Sequence, residues 1–349
     1  MKNKNIVLIG PSIYLKGGIA TVIRDIYNSH LKDLFNIELV STYDKSAIKP
    51  FFTGLIKYLS LLLLGKVDIA HVNLASRGSF FRKIFFIIMT PRNKKLIIHL
   101  HGGGFIDFYK RQSNIIQKLI RYSFNKADLI ITVSDIFKNR LIEVMDLDEK
   151  KIIRIYNGIS LKDNVKINEA SKAIKVLFMG KLNRDKGIYD FIEVIKKIKA
   201  TNKEVKFLIA GNGDIEAIKE LVEKEGLTEQ TKILGWIEGS EKEEILSKCD
   251  ILLAPSHFEA FGISIVEGMN YGLAIVAYSV GGIPEIVEDS INGYLNEVGD
   301  IEGMAHNLQI LIKNSKLLKE IKIRNIEKSK EFSKENFIDN IRKLYSKLS

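Results

Sequence analysis

The chain has 349 residues, 46% of them hydrophobic and 27% charged, with 5 prolines and no repeat or low-complexity tract. That length is long for one core and comfortable for two domains, and the composition is that of a soluble globular protein. The single cysteine, Cys249, excludes an internal disulfide and fits a reducing compartment; at the head of an apolar run it reads as a buried small hydrophobe, not a nucleophile.

Charge is unevenly placed. Residues 1–165 hold 26 Lys and Arg against 13 Asp and Glu, a net of +13, so with +11 overall the remainder carries −2. The stretch 77–126 has eleven basic residues and Asp107 as its only acid, with phenylalanines 80, 81, 85, 86, 105 and 108 interleaved. Such a patch suits an anionic membrane surface, a polyphosphate ligand or nucleic acid. It equally suits a solvated basic face with the aromatics turned inward.

The first expected strand is NIVLIG (5–10), an apolar run too short for the core of a signal peptide. In GPSIYLKGGIATVI (10–23), Gly17 and Gly18 precede a predicted helix over 19–31, where bare backbone amides can meet an anion. The gap from Gly10 to Gly17 is too long for the dinucleotide fingerprint, and a double glycine can be only a turn. After a strand at 37–41, FFTGLIKYLSLLLL (51–64) is shorter than the ~20 residues of a membrane span and contains Lys57, so a packed helix is expected. Further strands are expected at 67–74, 95–101, 128–134 and 151–157, with a helix over 115–127.

The strand KLIIHLH (95–101) puts His99 and His101 on one face, before glycines 102–104. No convincing third ligand accompanies them, which argues against metal. His101, at the strand's carboxyl end, suits a hydrogen-bonding or proton-handling role, and His99 a satisfied core position. The Asp-x-Asp at 146–148 lies in a polar turn, MDLDEKKI, and reads as solvated surface.

The alternation then restarts, with strands expected at 174–180, 205–211, 232–236, 250–256 and 273–279. Two restarts of strand–helix alternation predict an α/β chain of two doubly wound parallel-sheet domains. The expected division is 1–165 and 166–330, joined through a polar stretch at 157–173. A final helical segment, 331–349, is expected to pack across the junction. Ligands in such folds sit beyond the carboxyl ends of the strands, so the cleft between the domains is the expected site.

Two strand ends in the second half carry chemistry. FMGKLNRDKGI (178–188) sets Lys181, Arg184 and Lys186 at a strand-to-helix turn, where three cations can neutralise a diphosphate or be merely solvated. EAFGISIVE (259–267) places Glu259 in the turn before a helix and Glu267 one turn inside it, with Ile263, Val266, Met269 and Asn270 expected on the buried side. Amides around Phe261–Ser264 are the unsatisfied donors of that helix start. Carboxylates on either side of an anion site would accept hydrogen bonds from hydroxyls, and hydroxyls flanking a diphosphate describe a nucleotide sugar.

The ordered landmarks GGI (17–19), HG (101–102), YNGI (156–159), GKLNRDKG (180–187), GNG (211–213), EAFGISIVE (259–267) and GGIPEIVEDSINGYL (281–295) resemble the retaining glycosyltransferases of family four, which have the GT-B fold. The resemblance implies two Rossmann-like domains facing a central cleft. It implies that Lys181 and Lys186 hold the donor diphosphate, with the amides of Ile263 and Ser264 and the backbone of Gly17 and Gly18. Glu259, Phe261 and Gly262 would bind the transferred sugar, Glu267 the ribose, and His101 would lie near the reacting sugar; Glu259, His101 and Lys186 are the expected catalytic set. Lys181 stands where the family usually has arginine, and a point charge does not replace a bidentate fork, so Arg184 is expected to share its task.

The implied activity is transfer of a hexose-type sugar from a UDP-sugar, without metal or cofactor, to a glycan or lipid-diphosphate acceptor in cell-surface polysaccharide assembly. A cytoplasmic protein, peripheral on the anionic inner leaflet and without nucleic-acid partners, is the expected setting. The alternatives are a nucleotide-sugar epimerase on the same fold, a non-catalytic nucleotide-sugar binder and a nucleic-acid binder.

Overall fold

The computed structural model describes residues 4–45, 48–163, 165, 173–202 and 204–348. Residues 164 and 166–172 of the expected linker lie outside them. The chain forms two compact units: Met1–Gly158 with Lys334–Ser349, and Ile159–Ser333. The division thus falls after residue 158 rather than 165, and the chain returns to the first unit after residue 333.

The first unit holds the strands β1 (Asn5–Pro11), β2 (Asn36–Tyr43), β3 (Ile69–Leu74), β4 (Lys95–Leu100), β5 (Leu129–Thr132) and β6 (Ile152–Arg154), all parallel, in the order β2-β1-β3-β4-β5-β6. The second holds β7 (Lys175–Met179), β8 (Lys206–Ala210), β9 (Thr231–Gly235), β10 (Ile251–Ala254), β11 (Ala274–Tyr278) and β12 (Gly293–Asn296), parallel, in the order β12-β11-β10-β7-β8-β9. Both are doubly wound, with the order reversing between β1 and β3 and between β7 and β10.

All eleven expected strands are present, most of them with shorter ends. Ser134, expected in a strand, instead caps the helix Asp135–Met145, its Oγ accepting from the Phe137 amide at 3.2 Å. β12 escapes sequence reading because four residues, GYLN, are too few to show alternation; it exists by pairing along β11. Asp146 is the left-handed residue closing the 135–145 helix, so the Asp-x-Asp segment is the expected turn.

Strand alternation sends Ile6 and Leu8 to one face of the first sheet and Val7 and Ile9 to the other. The Ile6 face is covered by the helices Gly18–Tyr27 and Lys334–Lys347. The latter buries Phe337, Ile338, Ile341, Leu344 and Tyr345 there, which is why the last helix belongs to the first unit. In the second unit, Asp250 holds the start of two neighbouring strands: one oxygen accepts from the Lys175 amide at 3.0 Å and the other pairs with buried Lys322 at 2.9 Å. Cys249 is buried beside it, its thiol pushed up to about 12 chiefly by burial, which leaves it no nucleophile at neutral pH.

Tyr345 also closes a polar chain through the first core. Its hydroxyl lies 2.7 Å from His71 Nδ1, and His71 Nε2 lies 3.2 Å from His99 Nδ1. Both imidazoles are fully buried. Burial pushes His71 down to about 3 and, with its histidine neighbours, holds His99 well below its ordinary value. Unfolded histidines titrate near ~6.5. The unfolded chain therefore binds more protons than the folded one between that pH and about 3, so stability falls as the pH drops through that window. Hydrogen exchange of the β4 amides, corrected for intrinsic rates, should show protection lost by up to ~1.4 kcal/mol per pH unit per histidine from pH ~6.5 toward ~5. Constant protection over that range would mean the pair does not titrate on unfolding.

Candidate active site

In the second unit the loops leaving β7 and β10 meet at the point where the strand order reverses. Their backbones interlock. The carbonyl of Asp185 accepts from the amides of His257 at 2.9 Å and Phe258 at 3.3 Å. Gly187 sits at φ +72°, and a Cβ there would lie 1.8 Å from the carbonyl oxygen of Pro255. Asn183 Oδ1 accepts from the Lys186 amide at 3.0 Å and closes the one-turn helix Arg184–Lys186.

This packing sets Lys186 Nζ 2.6 Å from Glu259 Oε2. Glu259 Oε1 accepts from the Ala260 amide at 3.1 Å, and Gly281 abuts the Glu259 carbonyl so closely that a Cβ would lie 1.6 Å from it. Gly262, at φ +108°, starts the helix Ile263–Asn270 with no side-chain cap. The amides of Ile263 and Ser264 accordingly have no acceptor among the described residues. Phe261 is buried, its ring edge-on to Phe332 at 5.6 Å, so it offers the site its backbone. Ile263 is only half-buried; Ile265 takes the core position expected for it, while Val266, Met269 and Asn270 are buried as expected.

Lys181 and Arg184 are exposed and form no ion pair with a described residue, although Arg184 stacks on the Tyr189 ring at 5.1 Å. The structure thus gathers Lys181, Arg184, Lys186, Glu259, Phe261, Gly262, Ile263, Ser264 and Glu267 on the two adjacent loops and the helix after them. It adds residues that the sequence did not single out. Lys242, on the helix Gly239–Lys248, holds Glu267 Oε1 at 2.5 Å. Asp190 Oδ2 receives both His257 Nε2 and the Tyr278 hydroxyl at 2.8 Å, bracing the Glu259 loop from behind. No sequence signal marks these partners, which lie 25, 67 and 88 residues apart.

The first unit presents its own strand ends. Gly17, at φ +142°, precedes the helix Gly18–Tyr27, again without a side-chain cap. His101 follows β4, its ring 4.0 Å from that of His99, as the alternation predicted. Its Nε2 lies 2.9 Å from Asn73 Oδ1 at the end of β3. Burial, with His71 and Lys83, pushes the imidazole down to about 3, so at neutral pH His101 is an uncharged hydrogen-bonding group. Lys83, expected in the basic surface patch, is instead buried, its amine 2.6 Å from Ser79 Oγ and pushed down to about 7 chiefly by burial. Of the six interleaved phenylalanines, 80, 86, 105 and 108 point inward and only 81 and 85 are exposed.

Residues 17–163 match the family model described as Glycosyltransferase Family 4, and residues 161–328 match Glycosyl transferases group 1. The chain is a group 1 glycosyltransferase. An uncharacterized glycosyltransferase of Methanocaldococcus jannaschii is 29% identical over 363 residues, spanning 97% of both chains. Among solved structures, sucrose-phosphate synthase from Thermosynechococcus elongatus superposes with a TM-score of 0.84 at 17% identity over 99% of both chains. Anabaena HepE in complex with UDP-glucose does so with 0.76 at 19% identity, over 98% of this chain and 99% of that one. At such identities the likeness speaks for the fold, GT-B.

The loop packing in this glycosyltransferase is open to test with two alanines. Gly187→Ala meets the Pro255 carbonyl, whereas Gly299→Ala, also at positive φ (+86°), meets nothing within 4 Å. Gly187→Ala should therefore destabilise the second unit by more than the ~1 kcal/mol expected of backbone strain alone, and Gly299→Ala by no more than that. Equal denaturant midpoints for the two variants would show that the Pro255 contact is not tight.

Proposed function

We propose that this glycosyltransferase moves a hexose-type sugar from a UDP-sugar to a glycan or lipid-diphosphate acceptor, with retention at the anomeric carbon and without a metal, in cell-surface polysaccharide assembly. The observation that carries the reading is the Lys186–Glu259 pair at 2.6 Å, beside the uncapped amides of Ile263 and Ser264. A cation and bare amides next to one carboxylate supply what a diphosphate and an adjoining sugar hydroxyl need. Lys181 and Arg184 extend the positive field along the same loop. Glu267, one oxygen held by Lys242, keeps its other oxygen to accept from the ribose hydroxyls. The nucleotide is argued from HepE, which was solved with UDP-glucose.

In this reading the sugar–phosphate bond loosens first, and charge builds on the departing diphosphate. Lys186, helped by Lys181, Arg184 and the helix amides, stabilises that charge. Glu259 fixes the sugar, and the acceptor hydroxyl attacks from the face the diphosphate leaves, giving its proton to the leaving oxygen. Neutral His101 orients the sugar through a hydrogen bond and transfers no proton. The basic first unit meets the acceptor, at an anionic inner-leaflet surface.

Lys186→Ala should lower kcat by ~10²–10³-fold, the cost of losing one group that stabilises the leaving charge, with the circular dichroism spectrum unchanged. Near-normal turnover by the folded variant would remove Lys186 from the mechanism. UDP at 100 times its dissociation constant should stabilise the protein by about 2.7 kcal/mol. That thermal shift should survive EDTA and weaken in Glu267→Ala; a shift abolished by EDTA would overturn the metal-free reading.

A further inference from the structure

Five helices pack on the Val7 face of the first sheet; three of them, Ile48–Leu63, Gly78–Met89 and Asn114–Lys126, lie side by side, with Phe105–Lys110 and Asp135–Met145 alongside. Each buries one side, and the first two turn large apolar side chains outward at helical spacing. Phe52, Ile56 and Leu63 are 57%, 68% and 88% exposed on the first; Phe81, Phe85 and Ile88 are 41%, 49% and 44% exposed on the second. Phe51 joins the two sets, its ring 5.2 Å from Phe52 and 5.6 Å from Phe85. The apolar side chains therefore form one adjoining strip. Scattered apolar residues on a surface need no explanation, but a contiguous strip marks an interaction site.

Charge says what covers it. None of the three helices contains an aspartate or glutamate, yet they carry Lys49, Lys57, Arg82, Lys118, Arg121 and Lys126 outside the core, with Lys57 paired to Glu38 and Arg121 to Asp146 on neighbouring elements. Of these, Lys49 and Lys118 are exposed with no carboxylate partner among the described residues. Helices of the second unit, such as Ile215–Lys224 and Gly239–Lys248, mix both signs. A protein partner calls for a polar rim, whereas an apolar strip on helices that carry cations and no acid complements an anionic bilayer. Among the described residues no helix is long and apolar enough to cross a membrane, so the strip would lie in the interface plane.

We infer that the Phe52–Ile56–Leu63 and Phe81–Phe85–Ile88 faces form a docking surface for an anionic lipid bilayer, entering to the depth of the headgroups. The inference deepens the proposed function, because it rests on an acceptor presented at a membrane. It moves the contact away from most of the basic stretch 77–126, whose phenylalanines largely point inward, to the helix Ile48–Leu63 and its neighbour.

Co-sedimentation with phosphatidylcholine vesicles, with and without phosphatidylglycerol, tests it on the full chain. The protein should partition at least ~10-fold better onto the anionic vesicles. The double variant Phe52→Ser, Phe85→Ser should lose at least ~10-fold of that binding, with its UDP thermal shift unchanged, and Lys49→Glu, Lys118→Glu should lose the preference for anionic lipid. Equal partition onto both vesicles, unaltered binding by the serine variant, or a dimer seen by light scattering that this variant dissolves without any vesicle binding would each overturn the surface. Vesicle binding by a chain that turns over no UDP-sugar would sink the donor reading and leave the surface standing. Transfer to a soluble acceptor without vesicle binding would do the reverse.

Discussion

The second unit depends on one close approach: the backbone of the loop after β7 lying against the backbone of the loop after β10. Gly187 makes it possible by having no Cβ where the Pro255 carbonyl passes, and the Asp185 carbonyl seals it with two amide hydrogen bonds. Because β7 and β10 are neighbours at the point where the strand order reverses, their loops leave the same end of the sheet side by side and lock together. Lys186 and Glu259 meet across that seam. The pair is charged, partly open to solvent and backed by Asp190, which holds His257 and Tyr278 at once. A site built this way holds its charges before a ligand arrives, so little reorganisation is needed when charge develops on a leaving group.

The strand ends of the first unit follow another logic. Here the polar groups are uncharged: the buried His71 and His99 and the half-buried His101 are all held neutral, and Tyr345 and Asn73 bind the chain of imidazoles at its two ends. Neutral imidazoles in a core can fix hydrogen-bond direction without the desolvation cost of an ion. Most of the positive charge on this unit's helices sits elsewhere, on those that cover the opposite face of the sheet. Net charge and local chemistry are thus separated within one unit, and a chain-wide charge count cannot distinguish them.

Much of the site was legible because its residues are close in sequence. The segment 259–267 and the turn 180–187 each carry their chemistry within nine residues, and a strand-to-helix turn is a local event set by glycine placement. His99 and His101 were placed on one face by alternation alone. Lys242, Asp190 and Tyr278 were not legible, since each meets its partner through a fold contact between distant segments. The burial of Lys83 was not legible either, because a lysine's inward turn depends on what packs over it; Ser79 and the covering phenylalanines decide it.

By itself the sequence determined the two doubly wound sheets, eleven of the twelve strands, and the loops that bear the cations and glutamates, because period, glycine position and strand-end chemistry are local and repeat along the chain. Only the tertiary structure decided that the last helix returns to the first sheet, that four residues near 293 extend the second, and that Phe52 and Phe85 share one outward strip while Phe86 faces the core. Those outcomes turn on which apolar faces find a partner, and burial is a property of the assembled sheet and its covering helices rather than of any one segment.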